Sequence, residues 1–177
     1  MHYHPYYCEE NIWHLAKTLN RSDAAVLYVL NKKDYSKFYW QKTSLSATLP
    51  VFWDYHVLYA APLKSGLRIL DFDTRLPFSS SAKLYCNLTF NLEKEAPDPD
   101  CLIRVIPASE YVKHFFSARS HMHTSAGVSL SPPPPWAPIT EGDLFFSTLI
   151  DPKNEGVGKL MDLASFYQSI NLNKINS

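Results

Sequence analysis

The stretch VFWDYHVLYAAPLKSGLRILDFD, residues 51–73, decides how this chain folds. VFWDYHVLYA (51–60) and LRILDFD (67–73) are both rich in β-branched and aromatic residues, and Lys64-Ser65-Gly66 supplies a turn between them. Two such runs across a turn predict an antiparallel hairpin. Successive side chains point to opposite faces of a strand. Phe52, Asp54, His56 and Leu58 therefore share one face of the first strand, and Ile69, Asp71 and Asp73 share one face of the second. A turn centred near residues 63–65 allows two registers, and both put His56 on the face of the two aspartates. One aspartate then lies directly opposite at about 5 Å and the other diagonally at about 7 Å. The pattern leaves Asp71 and Asp73 both open as the partner of His56.

Working outward, AAVLYVLN (24–31) is a continuous apolar run and reads as a buried strand, with KFYWQKT (37–43) as its neighbour. CLIRVIP (101–107) reads as another strand. Between these, SAKLYCNLTFNLEKE (81–95) is helix-compatible. Ser109 is placed to cap a helix over EYVKHFFSA, and short helices are expected near 144–149 and 163–170. The region from Met122 to Pro138, with its SPPPPWAP run, reads as a stiff loop. No repeat and no shift in composition divides the chain, so residues 1–177 are expected to form a single domain of mixed α+β class.

Toward the N-terminus, PYYCEENIWHL (5–15) opens a second helix-like pattern, with apolar Ile12, Leu15, Ala16 and Leu19 at helical spacing. Glu9 and Glu10 fall in its first turn, where the helix dipole favours acids. Cys8 thus sits at a helix N-terminus. A thiol there, a histidine and a carboxylate are the three parts of an activated nucleophile. The helix dipole and an adjacent imidazolium would lower the thiol pKa, while Glu9 and Glu10 would oppose that. The bland reading of the same residues is a packed cysteine, a hydrogen-bonded core histidine and turn-forming aspartates.

Composition narrows the alternatives. With 17 basic against 17 acidic residues there is no electrostatic footprint for a polyanion, which argues against a nucleic-acid partner. No run is long and apolar enough to span a bilayer, and the N-terminus lacks the apolar core of a signal peptide. The three cysteines, Cys8, Cys86 and Cys101, are odd in number, widely spaced and without a Cys-x-x-Cys pair. A reducing cytoplasmic or nuclear compartment suits them, and a zinc ribbon or redox dithiol does not. His121-Met122-His123 lacks a third ligand of clear spacing and reads as a polar loop. Five glycines leave no glycine-rich phosphate loop. Nothing in the pattern suggests a dimer seam, so a monomer is expected.

YYCEENIW, VFWDYHV, LDFDTRLPF, RVIPASEYVKHFFSARSHM, PPPPW and DPK, in this order and spacing, resemble the protein N-terminal glutamine amidohydrolase family. The resemblance runs from about Tyr6 to about Ile170. It implies a three-layer α-β-α sandwich with a mainly antiparallel sheet and a papain- or transglutaminase-like Cys-His-Asp site. Carried over by position, Cys8 matches the nucleophile, His56 the general base and Asp71 the orienting carboxylate. The activity it implies converts the N-terminal glutamine of proteins and peptides to glutamate with release of ammonia, feeding the arginylation branch of the N-degron pathway. No metal or organic cofactor is implied. The chain departs from the family pattern at Tyr6, where a second cysteine is common, at Ala118, and at Trp136-Ala137-Pro138. The same three residue types would also serve a transglutaminase-like acyltransferase or a cysteine protease, and a pocket without turnover would make a reader of N-terminal glutamine.

Overall fold

A computed structural model describes residues 2–154 and 156–171. Its centre is a six-stranded sheet built from β1 (Ala25–Asn31), β4 (His56–Leu63), β5 (Gly66–Leu70), β6 (Ser79–Ser81), β7 (Cys101–Pro107) and β10 (Lys159–Asp162). The order is β10-β7-β1-β4-β5-β6, and every neighbouring pair is antiparallel. Two short two-stranded sheets flank it. One pairs β2 (Ser36–Phe38) with β3 (Val51–Trp53), and the other pairs β8 (Phe115–Phe116) with β9 (Leu144–Phe145).

The continuous apolar runs of β1 and β7 follow from burial on both faces. Val26, Tyr28 and Leu30 of β1 pack with Ile12, Leu15 and Ala16 of α1 (Cys8–Leu19) and Tyr111 of α3 (Ala108–His114). Ala25, Leu27 and Val29 pack instead with Tyr85 and Cys86 of α2 (Ala82–Thr89) and Leu163 and Phe166 of α5 (Leu163–Asn171). Helices therefore cover both faces of the sheet, and a fifth, α4 (Phe146–Ile150), adds Phe146 and Leu149 to the first core. One buried position breaks the apolar rule. Arg104 in β7 is fully buried and donates to the carbonyls of Leu149, Asp151 and Val157, so its charge is solvated by the loop after α4.

The hairpin forms in one of the two expected registers, from Leu63 opposite Gly66 to Tyr59 opposite Leu70. Several boundaries differ from the sequence reading. Residues 51–60 are two strands rather than one: the chain breaks at Asp54-Tyr55, and β3 pairs with β2 outside the main sheet. Asp54 is exposed and accepts from the Tyr55 N–H, which stabilises that break. The second hairpin strand stops at Leu70, so Asp71 and Asp73 lie beyond the ladder. The strand expected over 37–43 covers only Ser36–Phe38, because Trp40 takes a left-handed φ of 59°. Its partner is β3, not β1. The helix expected over 81–95 ends at Thr89, α3 ends at His114 before its phenylalanines, and Leu144–Phe145 is strand.

Candidate active site

The elements place Cys8, His56 and Asp71 at one end of the sheet. Cys8 is the first residue of α1, which packs on β4, and the Val57 N–H faces its sulfur closely enough to favour a thiolate. Asn11, one turn on, locks the approach to the helix by accepting from His4 N–H and donating to His4 C=O, both at 2.8 Å. His56 opens β4, directly before Val57. Trp53 and Phe38 enclose its ring, with centroids 4.7 and 5.5 Å away.

Asp71 is held from three directions. Its Oδ1 accepts from His56 Nε2 at 3.0 Å and from Asp73 N–H at 2.9 Å. Its Oδ2 accepts from Tyr85 Oη at 2.8 Å, so α2 supports the carboxylate from the opposite face of the sheet. Burial raises the Asp71 pKa, but His56 and these hydrogen bonds outweigh it and leave the group below its ordinary range. Burial likewise disfavours a charged His56, yet the charge and hydrogen bond of Asp71, with Asp73 behind, bring it above the ordinary histidine value. The bond through Nε2 leaves Nδ1 as the ring nitrogen for proton traffic. Asp71, rather than Asp73, is thus the carboxylate that His56 touches. Asp73 is pushed up, first by burial, and its Oδ1 accepts from Tyr3 Oη at 2.7 Å.

Around the sulfur the field is unfavourable to a thiolate. Burial, Glu9 and Asp73 raise the Cys8 pKa well above that of a free thiol, and only the Val57 N–H opposes them appreciably. The expected lowering by an adjacent imidazolium is not what the resting geometry gives. The opposition expected from Glu9 is there: its Oε2 lies 3.7 Å from Sγ.

The two glutamates of CEEN have different surroundings. Glu10 is fully buried and accepts from Arg119 Nε and Nη2 at 2.8 and 2.7 Å and from Trp136 Nε1 at 2.7 Å. The proline run thus delivers Trp136 onto the first turn of α1. Glu9 is also fully buried, but its Oε2 accepts only from Tyr55 Oη at 3.2 Å and, more weakly, from the Cys8 thiol at 3.7 Å, and its Oε1 accepts no hydrogen bond. His121 stacks on Phe146 with ring centroids 3.9 Å apart and aims an equally unbonded Nε2 at Glu9 Oε1, 3.4 Å away. His123 turns elsewhere, to the Arg119 carbonyl. Sequence reading assigned no role to Tyr55, Tyr85, Arg119 or His121, which approach from distant segments. Arg119 and His121 at least stand in the quoted ARSHM stretch.

Ligand atoms of His56, Asp71 and Asp73 lie within 4.8 Å of one another, a spacing a cation could use. The donor set argues against it. His56 Nε2 and Asp71 Oδ1 already satisfy each other, and a metal would have to strip that proton and break the bond to enter.

Comparison with known proteins identifies the family. The family model described as N-terminal glutamine amidase matches residues 3–170. A protein of Danio rerio named protein N-terminal glutamine amidohydrolase is 33% identical over 172 residues, 90% of this chain and 84% of its own. Proteins of the same name from Drosophila melanogaster and Arabidopsis thaliana are 31% and 34% identical, over 92% and 78% of this chain and 85% and 68% of theirs. With a family match over nearly its whole length and relatives above 30% identity, this chain belongs to the N-terminal glutamine amidase family.

Proposed function

We propose that the chain deamidates the side chain of an N-terminal glutamine to glutamate, releasing ammonia, with Cys8 as nucleophile, His56 as general base and acid, and Asp71 as the group that orients His56. The observation that carries this is the buried His56–Asp71 hydrogen bond at the start of β4, the strand on which α1 packs with Cys8 as its first residue. The relatives' names supply the substrate class.

The raised thiol decides how the first step runs. A neutral Cys8 has to lose its proton as it attacks, and the raised basicity of His56 makes Nδ1 a suitable acceptor. The sulfur bonds to the carboxamide carbon, and the oxyanion faces backbone N–H groups at the start of α1, that of Cys8 among them. His56 then returns the proton to the departing nitrogen, which leaves as ammonia and a thioester. Water, deprotonated by His56, attacks the thioester, and the expelled sulfur regains the proton. Glutamate is released, and the chain's own residues balance every proton.

The rest of the proposal concerns context. Helices on both faces of an antiparallel sheet, with the nucleophile at a helix start and the histidine at a strand start, support a three-layer α-β-α sandwich of papain- or transglutaminase-like type. We read residues 1–177 as one domain acting as a monomer on proteins and peptides that begin with glutamine, upstream of arginylation in the N-degron pathway. Three free cysteines favour a cytoplasmic or nuclear setting. No helix among the described residues is long and apolar enough to cross a membrane.

Mass spectrometry of a Gln-initiated peptide, incubated with and without an added amine, tests the activity. Conversion to Glu with one ammonia per peptide is the expected result. An amine adduct identifies an acyltransferase, backbone cleavage a protease, and binding without conversion a reader.

A further inference from the structure

We propose that Glu9, with His121 beside it, forms the subsite that recognises the α-ammonium of the substrate. This inference rests on the amidase reading above and concerns how that site distinguishes a terminal glutamine from an internal one.

Two buried acceptors without hydrogen bonds face each other close to the nucleophile. Glu9 Oε1 and Nε2 of His121 lie 3.4 Å apart, at ion-pair distance should the imidazole be protonated; with the His121 proton on Nδ1 they are two facing acceptors, and neither has a hydrogen-bond partner among the described residues. The other Glu9 oxygen is 3.7 Å from the Cys8 sulfur. A buried carboxylate with one hydroxyl and one weak thiol donor, both on the same oxygen, is far from satisfied, since an ionised carboxylate can accept about four hydrogen bonds. A primary ammonium suits this pair in charge and in donor number, with one N–H for the carboxylate and another for the imidazole. It also reaches. The α-nitrogen of glutamine lies within about 5 Å of the carboxamide carbon by ordinary bond lengths. That carbon sits about 3 Å from the sulfur at attack.

The other acids near the nucleophile are less suited. Arg119 and Trp136 occupy Glu10. Asp71 is filled by three donors, and Asp54 is exposed. Asp73, whose Oδ1 takes the Tyr3 hydroxyl, is the remaining rival. An internal glutamine offers a neutral α-nitrogen with a single N–H, so its binding would bury the Glu9 charge uncompensated.

The test compares kcat/KM for a Gln peptide with a free α-amine against its deamino-glutaminyl analogue, in which hydrogen replaces the ammonium. Wild type is expected to favour the free amine by on the order of 10³ or more, as buried unpaired groups reject a ligand lacking their partner. Glu9→Gln should cost the free-amine peptide about 100-fold more than it costs the analogue, so the ratio collapses. Iodoacetamide should meanwhile label Cys8 faster in Glu9→Gln than in wild type, because the Glu9 charge helps hold the thiol up. That opposition of faster alkylation and slower turnover is not what an unfolded variant gives. Glu9→Asp, which keeps the charge one methylene short, should fall between. If the ratio survives Glu9→Gln, or if Asp73→Asn collapses it instead, the inference is overturned while the amidase stands. A wild type that releases no ammonia from the free-amine peptide overturns the amidase reading and the inference together.

Discussion

On one side of the Cys8 sulfur, Asp71 accepts three hydrogen bonds from His56, the Asp73 N–H and Tyr85. On the other, Glu9 accepts from Tyr55 and weakly from the Cys8 thiol on one oxygen, and its other oxygen and a facing imidazole nitrogen go without. Both carboxylates are buried to within about a per cent. The first is finished machinery, with each polar atom paired so that the imidazole has one orientation. The second costs folding free energy as it stands, because a buried polar group lacking its partner loses hydration without replacement. Stability alone would not retain it, so its use lies in what it receives.

The comparison breaks most severely at Cys8, the proposed nucleophile, which both sides flank. Cys8→Ala should remove turnover altogether with the fold kept, since a small residue replaces a small one at a helix start. His56→Ala should do the same. Ammonia release measured beside circular dichroism checks both. Asp71→Asn should lower kcat by on the order of 10³, as the amide no longer holds the imidazole in the right tautomer. Asp73→Asn should cost less than about tenfold, because its carboxylate reaches His56 only through space. Were Asp73→Asn the more damaging, the finished side would have been wrongly assigned.

How much of this was legible beforehand depends on the length scale of each contact. β1 and β7 announce themselves because burial on both faces leaves unbroken apolar runs, and the turn narrows the β4–β5 hairpin to two registers, of which one forms. Period-two patterning fails at Asp54, where the strand ends but the aromatic sequence does not. It fails again at Leu70, since Asp71 meets His56 through a loop after the ladder rather than across it. Tyr85, Arg119 and His121 could not be found by any local pattern. Their partners lie 14, 109 and over 100 residues away in sequence, and only the packing of helices on the sheet unites them. Arg104 is instructive in the opposite sense. Its charge predicts exposure, yet three carbonyls, of Leu149 in α4 and of Asp151 and Val157 beyond it, keep it buried.

Glu10 sharpens the comparison from within the same helical turn. Paired to Arg119 through two bonds, it belongs with the finished side although it neighbours Glu9. Glu10→Gln should therefore act on stability, by about 3 kcal/mol, because it leaves a buried guanidinium without its counter-charge. Denaturant unfolding measures that loss. Below the unfolding transition, discrimination between free-amine and deamino substrates should persist in this variant, whereas it collapses in Glu9→Gln. Alkylation gives a gentler contrast. Iodoacetamide should label Cys8, which is partly exposed, before Cys86 and Cys101, which are buried.

The smallest expected effect is a displacement rather than a loss, and it reads the finished side alone. His56 must be neutral to take the Cys8 proton, so kcat/KM should fall on the acid side as the imidazole protonates. Asp71 raises that pKa against the effect of burial, which places the acid limb above the ordinary histidine value of about 6.5. Asp71→Asn removes the strongest supporting charge while burial remains, so the limb of whatever activity persists should move to lower pH. Stability carries the same signature with its sign fixed by linkage. The raised His56 contributes stability that is complete below its unfolded value and is lost as pH rises through its folded value. The lowered Asp71 contributes stability present above its unfolded value of about 3.9 and lost as pH falls through its folded value. The pair is therefore most stabilising between those two unfolded values, on the acid side of the activity limb. Unfolding curves across that window should show the pair's contribution flattening in Asp71→Asn. An acid limb that stays in place in Asp71→Asn would mean that something other than this carboxylate sets the basicity of His56.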